Sequence, residues 1–324
     1  MIMTVSQPHD SAVPAIRTEA LSRRYGDVQA VRDLDLVVPK GSIFGFLGRN
    51  GAGKTTTIRL ITGLARPDSG RAWINGIETT NGDDRGLNQF GYLPQEPAFY
   101  GWMTAEGHLD HAGRLFGLSD AERRERSADL LRLVDLEGAA RRKVGGFSGG
   151  MKQRLGLAQA LIHNPAVLIL DEPMAGLDPA GRRDVLDLME TLRSHVTIFF
   201  STHILADVER VCDRVAILHD GRLIEVAERE SLLSRYATDV VELVVRAEME
   251  GAPAAFVAEL ETQAWVSGVT MDENRVRVTA ADVDMAQAAL LPLIIKHNLT
   301  LLRYEWVRPN LEEIFLSLSE VEKS

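Results

Sequence analysis

The run of nine residues from Gly48 to Thr56 constrains the fold of this chain more than any other segment. It reads GRNGAGKTT and has the Gly-x-x-x-x-Gly-Lys-Thr spacing of a phosphate-binding loop. A strand-like apolar segment (residues 42–47) precedes it, and a segment with helical apolar spacing (residues 56–61) follows it. In this arrangement the glycines let backbone N–H groups point inward, and the helix N-terminus adds a positive dipole end. The sequence therefore predicts a polyphosphate site in an α/β domain.

The composition is that of a globular chain with room for one large domain and one small one. Of its 324 residues, 45% are hydrophobic and 25% are charged. No uncharged apolar run approaches the roughly 20 residues that span a bilayer. The first 14 residues, predicted to be a disordered lead, lack the features of a signal peptide, so we expect a cytoplasmic chain. The single cysteine, Cys212, excludes an intramolecular disulfide.

Acidic residues are concentrated towards the C-terminus. The formal net charge is −10, and residues 239–324 carry seven Lys and Arg against fifteen Asp and Glu, which leaves a balance of about −2 for the rest of the chain. Proteins whose main ligand is nucleic acid carry a basic surface. This distribution argues against nucleic acid as a partner.

Two polar or aromatic candidates flank the loop in sequence. Residues 15–36 alternate well enough for two strands joined near Gly26, and Tyr25 lies just before that turn. Its ring can stack on a purine or simply pack on the surface. Farther along, residues 91–93 end a short strand and place Gln95 at the start of a loop.

A helical insertion follows, and it ends at a second anion-binding element. Residues 104–142 have helical patterns, with a capping box that begins at Ser119. Ser148, Gly149 and Gly150 then open another helix, and a Ser-Gly-Gly sequence at a helix N-terminus can bind an anion or serve only as a cap. The chain therefore contains two candidate phosphate-binding elements, one on each side of a helical insertion, and its function has to account for both.

Charged side chains follow two buried strands. Residues 166–170 form a continuous apolar run that ends at Asp171 and Glu172, and residues 196–200 form another that leads to His203. Burial of two carboxylates without partners is costly, whereas a Mg²⁺ ion and a water-polarising role would explain both. Ligands of open α/β sheets bind at the carboxyl ends of the strands, so we expect these side chains to converge on the loop.

A second domain is predicted from Asp239 onward. Its strand and helix patterns follow the order β-α-β-β-α-β, which indicates a small ferredoxin-like sandwich, and residues 309–318 add one more helix. This region contains no catalytic constellation. We expect it to serve interaction or regulation.

Together these segments resemble the ATP-binding-cassette (ABC) ATPases, from about residue 16 to residue 228. The resemblance implies an α/β P-loop NTPase core with an antiparallel β subdomain and a helical subdomain at about residues 96–150. It also implies a nucleotide-binding domain over residues 15–235, followed by the α+β domain at residues 239–324.

The resemblance also implies roles for individual residues. Those expected to hold ATP are Tyr25, Gly48, Asn50, Gly51, Ala52, Gly53, Lys54, Thr55, Thr56, Ser148, Gly149 and Gly150. Those expected to act in hydrolysis are Lys54, Gln95, Glu172 and His203, with Glu172 as the general base. Those expected to serve Mg²⁺ are Thr55, Gln95 and Asp171. By the same resemblance, two copies close head to tail around ATP and drive a separate integral membrane permease from the cytoplasmic face of the membrane.

The sequence departs from the family pattern in a few places. Phe147 and Met151 replace the commonest residues around Ser148, and Ala175 replaces the usual serine of the loop after Glu172. The segment from residue 309 to residue 316 is similar to the C-terminal extension of ABC-2-type exporter subunits, which implies export. Two alternatives remain at this point: a cassette that acts on ribosomes or nucleic acid without a permease, and a nucleotide-dependent regulator.

Overall fold

The computed structural model describes residues 13–82, 84–235, 240–247 and 252–307. The chain divides into two compact units, residues 1–229 and residues 230–324. The strands of the first unit are β1 (Ile16–Tyr25), β2 (Val28–Val38), β3 (Ile43–Gly48), β4 (Ser69–Ile74), β5 (Ile77–Glu78), β6 (Phe90–Leu93), β7 (Val167–Leu170), β8 (Thr197–Thr202), β9 (Arg214–His219) and β10 (Arg222–Glu228). Its helices are α1 (Lys54–Ile61), α2 (Ala105–Leu115), α3 (Asp120–Leu133), α4 (Gly149–Leu161), α5 (Pro179–Leu192) and α6 (Leu205–Val211).

A six-stranded sheet forms the centre of the first unit. Its order is β10-β9-β3-β8-β7-β6, and every neighbouring pair is parallel except the β9–β10 hairpin. All residues of β3, β7 and β8 are buried, as expected for strands covered on both faces. The ring of Phe199 on β8 packs against Phe44 and Phe46 on β3, with centroid distances of 5.9 and 5.3 Å. The carboxyl ends of these strands therefore lie side by side.

A separate antiparallel sheet has the order β2-β1-β4-β5. The apolar residues of this sheet share one hydrophobic core with the central sheet. Ile16 on β1, Leu34 on β2 and Ile58 on α1 are all fully buried in that core. The sequence predicted β1, β2 and a turn at residues 67–70, but β4 already begins at Ser69, which pairs with Ser22 of β1. This sheet places the β1–β2 turn near the start of α1.

Three helices of the first unit, α3 and α4 before β7 and α5 after it, begin at the predicted positions. Ser119 caps α3 through the full capping box with Glu122. Ser148 caps α4, where its hydroxyl accepts a hydrogen bond of 3.3 Å from the N–H of Met151. Asp178 caps α5, and Pro179 is the first helical residue.

The second unit confirms the predicted topology. It contains β11 (Val240–Ala247), α8 (Ala252–Glu261), β12 (Val266–Asp272), β13 (Arg275–Ala280), α9 (Val283–Lys296) and β14 (Leu299–Val307), and α7 (Arg229–Arg235) lies at the boundary between the units. The antiparallel sheet has the order β12-β13-β11-β14. The two longer helices, α8 and α9, pack on one face of this sheet around Phe256 and Leu290.

The predicted α/β P-loop fold with a ferredoxin-like second unit is thus confirmed. The boundaries of the predicted functional domains remain predictions. Residues 1–12 of the predicted lead and the predicted helix at residues 309–318 lie outside the described residues. Within the part of the chain that the structure describes, no helix is both long enough and apolar enough to cross a membrane.

Candidate functional site

The phosphate-binding loop opens into a cavity of about 610 Å³. Eight of the predicted site residues line it: Asn50, Gly51, Gly53, Lys54, Thr55, Thr56, Gln95 and Glu172. The wall opposite the loop comes from the β1–β2 hairpin and includes Arg24 and Arg32. Sequence reasoning missed these two arginines, although both lie close to Tyr25 in the chain. Their guanidinium groups add two positive charges to that of Lys54, and Asp27, Glu172 and Asp220 are the acidic residues of the same lining.

Two glycines of the loop are fixed by geometry. Gly53 has a φ of 103°, in the left-handed region, and a Cβ there would lie 2.2 Å from the carbonyl oxygen of Ala30. A Cβ on Gly48 would lie 2.6 Å from the carbonyl oxygen of Leu218 on β9. Any side chain at either position would push the loop away from its supporting strands, so the cradle depends on glycine here.

The ammonium group of Lys54 lies inside the loop. Its Nζ donates hydrogen bonds to the carbonyl oxygens of Gly48 (2.7 Å) and Arg49 (3.2 Å). It also lies 3.1 Å from Oε1 of Glu172. Both charged side chains are buried, with 6% and 9% of their surfaces exposed. A buried lysine is costly without such partners, so the carboxylate and the two carbonyls hold the cation at the cavity wall.

Asp171 links the loop to the ends of β7 and β8. It is almost fully buried, and its Oδ1 accepts hydrogen bonds from Ser201 Oγ (2.7 Å) and Thr55 Oγ1 (3.2 Å). Tyr92 lies nearby, and its pKa is raised by burial and then by the negative charge of Asp171. Asp171 therefore connects the phosphate-binding loop on one side with β8 on the other.

Ser201 is a residue whose role sequence reasoning did not identify. Its fully buried hydroxyl donates to Asp171 and accepts a hydrogen bond of 2.9 Å from the backbone N–H of Glu172. It thereby fixes both consecutive acidic residues from the neighbouring strand. Its only sequence signal was its place at the end of a buried strand, directly before Thr202 and His203.

Glu172 adopts an unusual backbone conformation. Its φ is 48°, in the left-handed region that residues other than glycine seldom enter. This conformation ends β7 and directs the carboxylate between Lys54 and His203, whose Nδ1 lies 2.8 Å from Oε2 of Glu172. Strain of this kind persists only where surrounding contacts hold it, and here the hydrogen bond from Glu172 N–H to Ser201 is one of them.

Other predicted site residues lie outside this cavity or beneath it. Ala52 and Gly48 are buried beneath it. Tyr25 is about half exposed, does not line the cavity and has the guanidinium carbon of Arg23 at 4.8 Å from its ring centroid. Its stacking role stays a prediction.

The Ser-Gly-Gly element lies at a different cavity. Ser148 and Gly149 are exposed, and Gly149 lines a cavity of about 410 Å³ together with Gln95 and residues 175–177. Gln95 lines both cavities. Within one chain, the structure therefore brings Lys54, Asp171, Glu172 and His203 together but leaves the second anion-binding element apart from them.

Comparison with known proteins identifies the family. A family model described as "ABC transporter" matches residues 31–175. The chain is 41% identical over 300 residues to the ABC transporter ATP-binding protein YxlF of Bacillus subtilis, with 93% of this chain and 98% of the relative covered. The chain belongs to the ABC transporter ATP-binding proteins. It is an ATP-binding cassette with ATPase activity, as the sequence analysis expected.

Two further comparisons extend this result. The cassette is 34% identical over 307 residues to the linearmycin resistance ATP-binding protein LnrL of Bacillus subtilis, covering 94% of this chain and 98% of the relative. It also matches a solved structure of the cassette MJ0796, a dimer in a post-hydrolysis state bound to ADP and Pi, at 25% identity and a TM-score of 0.60, covering 66% of this chain and 98% of that one. Cassettes of this family form dimers and act with membrane permeases. The relatives support the transporter interpretation, and they do not support the ribosome or nucleic-acid alternative.

Proposed function

We propose that this cassette hydrolyses ATP in a head-to-tail homodimer that drives a membrane permease in export. The observation that carries the proposal is the separation of the two anion-binding elements. The loop and Glu172 line one cavity, and Asp171 and His203 contact Thr55 and Glu172 of that cavity. Ser148 and Gly149 are exposed, and Gly149 lines another cavity. A second copy can supply its Ser148, Gly149 and Gly150 to the phosphates held by the first.

Lys54 and Glu172 exchange partners when ATP binds. In the structure, Nζ of Lys54 lies 3.1 Å from the Glu172 carboxylate. A β- or γ-phosphate in the loop attracts this ammonium group more strongly than one carboxylate does, because it carries more negative charge. The exchange leaves Glu172 free to accept a proton from the attacking water. ATP would thus release the base that hydrolyses it.

His203 and Gln95 then position the reacting groups. His203 Nδ1 lies 2.8 Å from Oε2 of Glu172, which supports a role for its ring in holding the attacking water near the γ-phosphate. Gln95, which follows β6, lines the cavity at the phosphate-binding loop. As in other phosphoryl transfers, most of the catalysis comes from positioning and electrostatic stabilisation of charge on the phosphate oxygens.

The residues around Asp171 fit a magnesium ion. Mg²⁺ prefers oxygen ligands and retains several waters and phosphate oxygens. Thr55 Oγ1 and Asp171 Oδ1 are oxygen donors 3.2 Å apart at the end of the loop, and Gln95 can add an amide oxygen. When bound there, Mg²⁺ would neutralise charge on the β- and γ-phosphates.

The permease and the direction of transport are supported by the relatives. LnrL is named for resistance to linearmycin, and this chain covers nearly its whole length. We propose export on this ground and on the similarity of residues 309–316 to exporter subunits. The cassette would then work on the cytoplasmic face of the membrane, bound to its permease.

Mixed dimers test the composite site. All chains carry Glu172→Gln. A homodimer of Lys54→Ala chains lacks the loop lysine in both sites, and a homodimer of Ser148→Arg chains lacks the Ser148 half of both sites. When mixed, they can form dimers with one intact site, which should retain one ATP per dimer in sedimentation analysis with labelled nucleotide. If the Glu172→Gln chain alone forms ATP-bound dimers and the mixture forms none, the two halves do not come from different chains.

The permease is tested separately. Affinity purification of the cassette from detergent-solubilised membranes should recover a protein with several membrane-spanning segments, and addition of that protein should change the rate of ATP hydrolysis. A cassette that is recovered alone from its own membranes, with an ATPase rate that no membrane protein alters, would contradict the proposal.

A further inference from the structure

The second unit exposes an apolar face on α9. This helix turns three fully or nearly fully buried side chains into the core: Ala286, Leu290 and Ile294. Its opposite face carries five exposed apolar residues: Met285, Ala288, Leu291, Pro292 and Ile295. Ile295 alone has 74% of its surface exposed. We call these five residues the outer stripe.

The outer stripe has the spacing of a helix–helix seam. Met285, Ala288, Pro292 and Ile295 are separated by three, four and three positions, which is the repeat of a two-stranded helical contact. No charged residue occurs from Met285 to Ile295. Isolated exposed apolar residues are ordinary, but a continuous stripe of them on one helix marks an interaction surface.

We propose that α9 pairs with α9 of a second copy in antiparallel orientation. The N-terminal end of the helix carries Asp282 and Asp284, and the C-terminal end carries Lys296, whose Nζ lies 2.6 Å from Oε1 of Glu259. A parallel pair would bring the four N-terminal carboxylates together. An antiparallel pair separates them and also aligns the helix dipoles favourably.

The stripe is self-complementary in this orientation. With the two-fold axis at the level of residue 290, Met285 lies level with Ile295 of the second copy, and Ala288 lies level with its Pro292. Asp284 lies level with Lys296 of the second copy, so opposite charges meet at both ends. The small Ala288 at the centre allows close approach of the two helices.

A second copy fits this surface better than a membrane does. Helices that lie on membranes carry Lys and Arg on their polar faces, whereas α9 has two acidic residues at one end and the surrounding segment, residues 239–324, is strongly acidic. A second copy is acidic too, but the uncharged stripe keeps those charges at the periphery. The outer stripe of one copy is therefore complementary to the outer stripe of a second copy, and the charged ends of the two helices are complementary as well.

The pairing is a supplementary contact. A stable stand-alone interface buries about 1,200–2,000 Å², and five side chains on a helix about 21 Å long fall short of that. Its effect comes from tethering, because any contact that keeps two copies together raises the effective concentration of the rest of their surfaces. The pairing does not involve the ATP site. It would hold two cassettes near each other when no nucleotide is bound.

Cysteine cross-linking without nucleotide tests both the pairing and its register. The native Cys212 should not form disulfides in this experiment, because it is buried in the first unit and burial raises its thiol pKa well above the ordinary value. Full-length Met285→Cys and Ile295→Cys chains of different tag size are oxidised separately and as a mixture. Disulfides need Cα atoms within about 7 Å. The mixture should give a cross-linked heterodimer.

The separate samples provide the controls. In the antiparallel register, two Met285→Cys side chains lie about 15 Å apart along the axis, so neither single variant should cross-link with itself. Leu291→Cys chains, in contrast, should cross-link with each other, because residue 291 lies next to the two-fold axis. The proposal would be overturned if Met285→Cys chains cross-linked with each other. It would also be overturned if neither the mixture nor Leu291→Cys gave a cross-linked dimer.

A second measurement avoids oxidation. In sedimentation of nucleotide-free protein, Ile295→Asp should weaken self-association by at least tenfold, with an unchanged circular dichroism spectrum. Leu115→Asp is the matched control, since Leu115 on α2 is exposed to a similar extent, 76%. Equal self-association of Ile295→Asp and Leu115→Asp would also overturn the pairing.

Discussion

His203 and Glu172 are joined by a contact of 2.8 Å between Nδ1 and Oε2. The other oxygen of the same carboxylate lies 3.1 Å from Nζ of Lys54. The carboxylate of the predicted general base therefore lies between a cation and an imidazole. The proposed exchange, in which a bound phosphate draws Lys54 away from Glu172, starts from this arrangement. It also means that changes at Glu172 and Lys54 should separate binding from hydrolysis.

Glu172→Gln should bind ATP but turn over at a rate lower by about 10²–10⁴-fold, which is the usual contribution of a general base. The amide keeps the shape of the side chain, and it relieves repulsion between the carboxylate and the γ-phosphate, so ATP-bound dimers should accumulate. Hydrolysis is measured by phosphate release and dimers by sedimentation. Glu137→Gln, at an exposed carboxylate, is the control. An unchanged rate for Glu172→Gln would rule out Glu172 as the base.

Lys54→Ala should weaken ATP binding itself by at least tenfold, because the loop loses its one buried ammonium group. Calorimetric titration with ATP under non-hydrolysing conditions measures this effect. The variant also leaves the carbonyl of Gly48 without its 2.7 Å donor, so a small loss of thermal stability should accompany it. Arg59→Ala, at an exposed residue of the same helix, is the control. Tight ATP binding by Lys54→Ala would contradict the role of the loop.

Ser201→Ala should impair hydrolysis through the position of the acidic pair. Removal of the hydroxyl leaves Thr55 as the remaining side-chain donor to Asp171 and takes the acceptor from the N–H of Glu172. An unpaired buried N–H costs about 1–3 kcal/mol in the free energy of unfolding. We expect kcat to fall more than the affinity for ATP, since Lys54 and the loop are untouched. Ser194→Ala, at an exposed serine, should change neither. Full activity of Ser201→Ala would show that the left-handed conformation of Glu172 does not depend on this bond.

The sequence was sufficient to predict the features that depend on local pattern. The loop spacing, the capping box at Ser119 and the buried runs before Asp171 and His203 each specify an element, and parallel strands bring their carboxyl ends together. The convergence of the acidic residues on the loop followed from those patterns alone.

Features that depend on which strands are neighbours could not be predicted in this way. The role of Ser201 arises only because β8 lies beside β7. The residues Pro67 to Gly70 have turn composition, yet Gly70 has a φ of 82° and packs against the backbone of Ala20 at an irregular part of the β1–β4 pairing. Local composition carried no information about that partner.

Two histidines, the buried His108 and the partly buried His163, should make the first unit less stable in mild acid. Burial lowers the pKa of both His108 and His163, so the folded state takes up these two protons at a lower pH than the unfolded state does. The Nε2 atoms lie 2.7 Å from Gln159 Oε1 and 3.0 Å from the carbonyl oxygen of Phe90. In the unfolded chain each histidine takes up a proton as the pH falls through about 6.5. The unfolded state then binds more protons, and stability present above pH 6.5 is lost below it.

The loss should reach up to about 1.4 kcal/mol per pH unit for each histidine, until the pH falls to the lowered pKa. Urea unfolding followed by circular dichroism between pH 7.5 and 5.5 measures it. His108→Gln should reduce this pH dependence whatever its effect on absolute stability, because one of the two titrating groups is removed. Equal pH dependence in His108→Gln and the unsubstituted chain would mean that other groups titrate on unfolding and that His108 is not held neutral by burial.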